Sequence, residues 1–133
     1  MQSSSLNLFG SDARLHHIGL VVKSLADVKL DGLTITYDPN QKVRVAFVQI
    51  GDVCVELIEP ASADSPVSAN LAKGVKLLHL CYEAKDISQA LKLAEASGMK
   101  VIQEPIPAEA FARRKIAWVY HPLLGLFELL EKI

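Results

Sequence analysis

The stretch LHHIGLVV at residues 15–22 is an apolar, β-branched run that contains histidine, and it predicts a buried strand. A second strand-like stretch, LLHL at residues 77–80, carries a histidine in the equivalent place. Each is followed by a run that carries a carboxylate: VELIE at residues 55–59 after the first, and FELLE at residues 127–131 after the second. This order of His, Glu, His and Glu on four apolar strands indicates an internal duplication.

The two halves of the chain share the order strand, connector, three strands. Module one covers about residues 15–60, the linking segment residues 61–74, and module two about residues 75–133. In module two Asp86 can cap a helix that Gly98 ends, with apolar residues at helical spacing between them. In module one only residues 24–32 are available, enough for a single turn. The sequence therefore predicts one α+β domain over residues 1–133, whose first module has a truncated or missing helix.

Turn-forming residues and prolines set the remaining boundaries. Gly51-Asp52 predicts a tight turn within an antiparallel hairpin, Pro60 is expected to stop the sheet, and Ser65-Pro66 to start a short helix up to Lys73. Pro105 and Pro107 are expected to break the chain between two strands. The predicted strands are residues 17–22, 33–37, 43–50, 53–59, 75–82, 99–103, 116–120 and 126–131.

Four side chains on these strands are candidate metal ligands: His17, Glu56, His79 and Glu128. A single strand histidine is usually a satisfied core residue, and a single glutamate at a strand end is usually solvated. Two carboxylates among apolar neighbours are costly unless they are paired, and one divalent cation would satisfy both. Alternation places His16 and His17 on opposite faces, so only one can be a ligand. The parallel with His79 favours His17.

Composition limits the function classes. The chain has 133 residues, of which 50% are hydrophobic and 22% charged, with a net charge of −1, so a nucleic-acid partner is disfavoured. No apolar run reaches the ~20 residues that cross a bilayer, and the N-terminus lacks a basic signal-like segment, so we expect a cytoplasmic protein without a membrane partner. Cys54 and Cys81 are expected to be buried, reduced thiols.

The chain resembles the vicinal oxygen chelate superfamily, especially its methylmalonyl-CoA epimerase and glyoxalase I branch. The resemblance rests on HHIGLVV, VAFVQIG, VELIEP, DSP, VYHP and the final EL at residues 128–129. It implies paired βαβββ modules whose curved mixed sheet forms a cup around one metal ion. It places His17, Glu56, His79 and Glu128 at the family's ligand positions. Two imidazoles and two carboxylates suit one divalent ion, and Mn, Co, Ni, Mg and Zn all remain open.

The resemblance also implies a reaction class. A Lewis acid that chelates two oxygens stabilises an enolate, so we expect an isomerase or lyase that abstracts a proton next to a carbonyl, with Glu128 as acid/base. The substrate would be a small carbonyl, thioester or sugar-like molecule. Two rivals are a non-catalytic, drug-sequestering binding module of the same fold and a metal-dependent transferase or dioxygenase. A retained His/Glu quartet disfavours the first, and the fourth ligand disfavours the second.

Two departures from the epimerases bear on substrate and assembly. Residues 105–115, PIPAEAFARRK, replace the glycine-rich loop of those enzymes, which puts a thioester substrate in doubt. The basic run in this loop could hold an anion, although a solvated loop is the favoured interpretation. Loss of the first helix would expose Ile18, Leu20 and Val22. We expect the N-terminal segment or a second subunit to cover this face, and we predict a homodimer.

Overall fold

The computed structural model describes residues 2–133 and contains one curled, mixed sheet of eight strands with two short α-helices. The α+β fold is confirmed. The helices are α1 (Ser68–Ala72) and α2 (Ile87–Ala96). The strands are β1 (Arg14–Val21), β2 (Thr36–Asp38), β3 (Val43–Ile50), β4 (Val53–Pro60), β5 (Leu77–Ala84), β6 (Lys100–Pro107), β7 (Lys115–His121) and β8 (Gly125–Glu131).

The sheet order β2-β3-β4-β1-β5-β8-β7-β6 follows the duplication. In the first half β1 pairs with β4 in parallel, and in the second half β5 pairs with β8 in parallel. The halves join where β1 and β5 pair antiparallel. The four strands that carry the candidate ligands are therefore adjacent at the centre of the sheet.

The first module lacks its helix, as predicted. The connector there forms only a 3-10 turn over Leu25–Asp27, where the Ser24 hydroxyl accepts from the Ala26 N–H at 3.2 Å. Leu25 packs on the sheet, and Leu20 and Val22 join its cluster as half-buried residues. The face predicted to be bare is thus partly covered by this connector.

The second module has the full helix α2. The Asp86 carboxylate caps it by accepting from the Gln89 N–H at 3.0 Å, and Gly98 follows its end with a positive φ of 88°. The N-terminal segment packs here rather than on the first module: the Phe9 ring lies 5.6 Å from that of Phe127. Leu8 joins the same buried cluster. No helix among residues 2–133 is long and apolar enough to cross a membrane.

Several predicted boundaries differ from the structure. Residues 33–37 form a strand only from Thr36, because β2 is a short edge strand that pairs with three residues of β3. Helix α1 begins after Val67, and the Ser65 hydroxyl instead donates to the Gln41 carbonyl at 3.2 Å. Strand β4, by contrast, ends at Pro60, where the sheet was predicted to stop.

The prediction that prolines interrupt the chain near β6 was also wrong. This strand continues through Pro105 to Pro107, although both prolines were predicted to break it. The reason is position: β6 lies at the edge of the sheet and pairs only with β7. A proline whose missing N–H would have faced away from the sheet costs no ladder hydrogen bond. The pairing is irregular between Gln103 and Ile106, which accommodates the ring.

Candidate metal centre

The four predicted ligands meet in one buried cluster. His17 lies on β1, Glu56 on β4, His79 on β5 and Glu128 on β8, and each is at most 6% exposed. The register is equivalent in the two halves. Glu56 pairs with Gly19, two residues after His17, and Glu128 pairs with Cys81, two residues after His79.

The ligand atoms converge on one point. The Nε2 atoms of His17 and His79 are 3.2 Å apart, and each lies 3.1 Å from Oε1 of Glu128. Oε1 of Glu56 lies 3.3 Å from the first Nε2 and 3.5 Å from the second. Neighbouring ligand atoms of an octahedral ion with bonds of about 2.0–2.2 Å are about 3 Å apart. The donor set and its spacing therefore fit a divalent ion.

The electrostatics of the cluster also fit a cation. Burial opposes protonation of His17, but the carboxylates of Glu128 and Glu56 outweigh it and raise the pKa of His17 to about 9. Burial likewise opposes ionisation of Glu128, but close polar contacts with His17 and His79 lower its pKa to about 2. Oε1 of Glu128 is nevertheless buried without a regular hydrogen bond among the described groups. The two carboxylates thus favour a positive charge at the centre of the cluster.

Gly19 makes room for His79, a role that sequence reasoning missed. A Cβ built on Gly19 would overlap the imidazole ring, with its Nδ1 at 2.5 Å and its Nε2 at 2.9 Å. Real Cβ atoms are not found this close to other heavy atoms, so a side chain here would push the ring out of the cluster. The signal in the sequence is a glycine within an otherwise apolar, β-branched strand, which often marks a close approach.

His16 does not point away from the site, contrary to the alternation argument. The pairing of β1 with β5 is irregular between Leu15 and His17, and this re-aims the His16 ring. Its Nδ1 lies 2.9 Å from Nδ1 of His17. Histidines that hold metals commonly have a partner on the second ring nitrogen, and His16 occupies that place.

The loop between β6 and β7 closes one side of the cluster. It contains a 3-10 turn over Glu109–Phe111, and the Phe111 ring stacks on that of His17 at 5.6 Å and 22°. Ala112 and Arg113 follow with positive φ of 51° and 67°. This loop thus has a defined conformation and lines one side of the site.

Both arginines of the basic run in this loop make internal contacts. Arg114 donates to the Glu83 carboxylate at 2.5 Å and to the Glu131 carbonyl at 2.8 Å. Arg113 pairs with Glu109 at 2.5 Å on the surface. These contacts disfavour an anion site. Arg113 is exposed, as the predicted solvated loop requires, but Arg114 is half-buried in its pair with Glu83.

An open cleft leads to the cluster. Glu56, His79 and Glu128 contribute to its lining, together with Trp118, whose ring meets that of His79 edge-on at 4.8 Å. Most other lining side chains are apolar, namely Val43, Val45, Ile58, Val67, Leu78, Ala108, Ala110, Phe111 and Ile116. A substrate in this cleft would have one end against the ligand atoms and its body against an apolar wall.

Both cysteines are free thiols, as predicted, although Cys54 is only half-buried. Cys81 is fully buried beside the cluster, and burial followed by the charge of Glu128 raises its pKa well above the usual value. A thiol in that state is protonated and unreactive.

A duplicated α+β fold whose single curled sheet gathers two histidines and two glutamates at its centre defines the class: a glyoxalase-like protein. A sequence profile of the Glyoxalase/Bleomycin resistance protein/Dioxygenase superfamily matches residues 16–118. The match covers more than half of the chain, and the chain belongs to this superfamily.

Three proteins that are similar to this chain have the following names and extents of similarity. The Bacillus subtilis protein YqjC, described as uncharacterized, is 36% identical over 115 residues, or 80% of this chain and 81% of YqjC. The ethylmalonyl-CoA/methylmalonyl-CoA epimerase of Cereibacter sphaeroides is 30% identical over 67 residues, which cover 49% of this chain and half of that enzyme. A variant of the Streptomyces coelicolor methylmalonyl-CoA epimerase, solved with 2-nitronate-propionyl-CoA, superposes with a TM-score of 0.70 at 25% identity, covering 90% of this chain and 94% of that one.

Proposed function

We propose that this protein binds one divalent metal ion through His17, Glu56, His79 and Glu128. We further propose that it acts as an isomerase or lyase, abstracting a proton next to a carbonyl of a small substrate. The observation that carries the proposal is a convergence at the end of a cleft: the two imidazole nitrogens are 3.2 Å apart, and each of the two buried carboxylate oxygens lies 3.1–3.5 Å from both nitrogens. When bound, the ion would supply Lewis acidity that stabilises an enolate.

The protein's own groups divide the work. His17, His79 and Glu56 hold the centre, and Gly19 and His16 fix the two imidazoles. Glu128 is the proposed acid/base, as the resemblance to the epimerases implies; its Oε1 is buried without a regular hydrogen bond, and its side chain, like that of Glu56, lines the cleft. The carboxylate would take the proton from the carbon next to the carbonyl. It would then return that proton, or the enolate would expel a leaving group.

The relatives support the reaction class. Two of the proteins described above are named as epimerases of acyl-CoA substrates. An epimerase must remove and replace a proton at the carbon next to the thioester carbonyl, which is the step that the cluster suits.

Metal analysis with paired variants tests the metal part. We expect close to one ion per chain after reconstitution with Mn, Co, Ni, Mg or Zn, and a large loss of binding in His79→Ala. Glu104→Gln is the matched control, since Glu104 is an exposed strand glutamate outside the cleft. If none of the five ions reaches near-stoichiometric occupancy, the proposal is wrong.

Solvent exchange tests the chemistry. We expect the metal-loaded protein to introduce deuterium from D₂O next to the carbonyl of candidate thioesters and ketones, as read by NMR. General acid–base catalysis contributes about 10²–10⁴-fold, so Glu128→Gln should lose at least that factor while Glu104→Gln stays at the wild-type rate. Saturable ligand binding by metal-free protein, with no exchange in any metal-loaded form, would favour the binding module instead.

A further inference from the structure

The cleft at the metal centre continues into a second, wider groove. This open groove shares Gln41, Val67, Leu78 and Trp118 with the cleft. Ile102, Gln103, Leu126, Pro66 and Asn70 complete its lining. Trp118 thus stands between the cluster and the groove, and an extended ligand that reaches the ligand atoms can continue into the groove.

The lining of the cleft and the groove offers no cation for an anionic ligand. Among residues 2–133, neither lining includes a lysine or an arginine. Asp38 is the one lining charge outside the cluster, and its carboxylate accepts from the Asn40 and Gln41 N–H groups. Lys42 follows Gln41 in the chain, but it pairs with Asp64 at 2.5 Å. Two carboxylates would balance a divalent ion, so a phosphate or a free carboxylate would find no fixed positive charge here.

Two hydrogen-bond donors in the groove wall lack partners. Nε1 of Trp118 and Nε2 of Gln103 are buried and unpaired among the described groups. The two residues face each other across β6 and β7 as paired positions, so both side chains lie on the same side of the sheet. A buried donor without an acceptor is costly, and both side chains line the groove. The two unpaired donors in the wall therefore favour a ligand that carries a neutral acceptor oxygen.

We infer that the groove is a subsite for an uncharged ligand segment with a carbonyl or amide oxygen, which accepts from Gln103 and Trp118 while its apolar part lies on Val67 and Leu78. The natural substrate is then a neutral carbonyl compound or short acyl derivative, rather than a phosphate-bearing carrier such as CoA. This inference deepens the proposed function and rests on it for the reacting carbonyl. The subsite itself can be tested without metal or turnover.

Tryptophan fluorescence is the direct assay, because Trp118 is the single tryptophan of the chain. Metal-free and metal-loaded proteins are titrated with two probes that share an acyl end: propionyl-N-acetylcysteamine, which is neutral and carries an amide, and propionyl-CoA, which adds phosphates. We expect saturable quenching by the neutral thioester, with propionyl-CoA no more than about threefold tighter and no salt dependence between 50 and 300 mM. A CoA thioester at least tenfold tighter, with affinity that falls as salt rises, overturns the inference. Absence of saturable quenching by the neutral probe also overturns it.

A variant pair tests the donor. Gln103→Leu should weaken the neutral thioester about five- to tenfold, the usual scale for one lost hydrogen bond. Gln49→Leu, an exposed strand position outside both linings, should leave it unchanged. If Gln103→Leu does not fold, Gln103→Glu removes the same donor and is titrated instead. Equal affinities in wild type and the Gln103 variant overturn the subsite. Failure to bind metal would refute the proposed function while leaving the metal-free titration decisive for the subsite.

Discussion

Replacing Gly19 by alanine should displace the His79 imidazole and so weaken metal binding, while the fold is retained. The added Cβ would overlap the imidazole, whose nearest ring atoms are the closest neighbours of that position. Both residues sit on paired central strands and are buried, so neither the backbone nor the ring can move without disturbing the core.

The expected magnitude follows from two opposing terms. Overpacking a close-packed core costs about 1–3 kcal/mol, and alanine in place of glycine in a strand returns about 0.5–1 kcal/mol. Gly19→Ala should therefore lower the free energy of unfolding by up to about 2.5 kcal/mol. Each kcal/mol corresponds to roughly 3–5 °C in Tm for a chain of this size. Metal affinity should fall at least tenfold, because one ligand atom leaves its position.

A double-mutant cycle with urea denaturation isolates the steric contact. In a His79→Ala background the ring is gone, so Gly19→Ala should become neutral or stabilising. The coupling between the two positions should then be about 1–3 kcal/mol. Coupling below about 0.5 kcal/mol, the ordinary error of additivity, would refute the reasoning. So would wild-type metal affinity in the single variant, since the contact would then not position His79.

Three further predictions concern the rest of the molecule. Asp86→Ala removes the cap of α2 and should lower the free energy of unfolding by about 1 kcal/mol, whereas Asp86→Asn, measured by the same urea titration, should stay near wild type. Contacts with Lys42 and Ser62 lower the pKa of Asp64 from 3.8 to about 2. The contribution of the ionised Asp64 carboxylate to the stability of the fold is therefore present above pH 3.8 and is lost as the pH falls towards 2. Wild type should therefore have a higher Tm than Asp64→Asn at about pH 6, and this difference should vanish near pH 2. The difference should be small, because the pair is exposed. A Tm difference that does not change with pH would contradict the prediction. Light scattering at micromolar concentration should give a homodimer, and a monomer would contradict it.

Long-range pairing was predictable where the sequence repeats and unpredictable where the backbone departs from regular geometry. The four ligand candidates followed from the duplicated order of His and Glu. The position of the His16 ring did not, because alternation assumes a regular strand and an irregularity between Leu15 and His17 breaks it. The division into one domain over residues 1–133 and the cytoplasmic location stay predictions.

Proline and capping residues were misjudged for a related reason. A proline breaks a central strand but is tolerated in an edge strand. Whether Pro105 lies in an edge strand depends on the order of all eight strands, which the local sequence does not show. Ser65 has the residue type of an N-cap, but its hydroxyl bonds to the Gln41 carbonyl 24 positions away in sequence. Local chemistry limits what such residues can do, and tertiary neighbours decide among the options.

The symmetry of the central strands explains why one of the positions missed in the sequence is glycine. The β1–β5 pairing places Gly19 opposite His79 and Cys81 opposite His17, so each histidine faces the residue two positions after its counterpart. Each imidazole must lie over the neighbouring strand to reach the ligands of the other half, and only a small residue leaves that space. Gly19 gives the space outright, and Cys81 supplies a small thiol beside the other ring. The repeated unit is therefore His-x-small rather than histidine alone: His17-Ile18-Gly19 and His79-Leu80-Cys81. A small residue two positions after a strand histidine, present in both halves of a duplicated chain, indicates that the two histidines cross towards one shared centre.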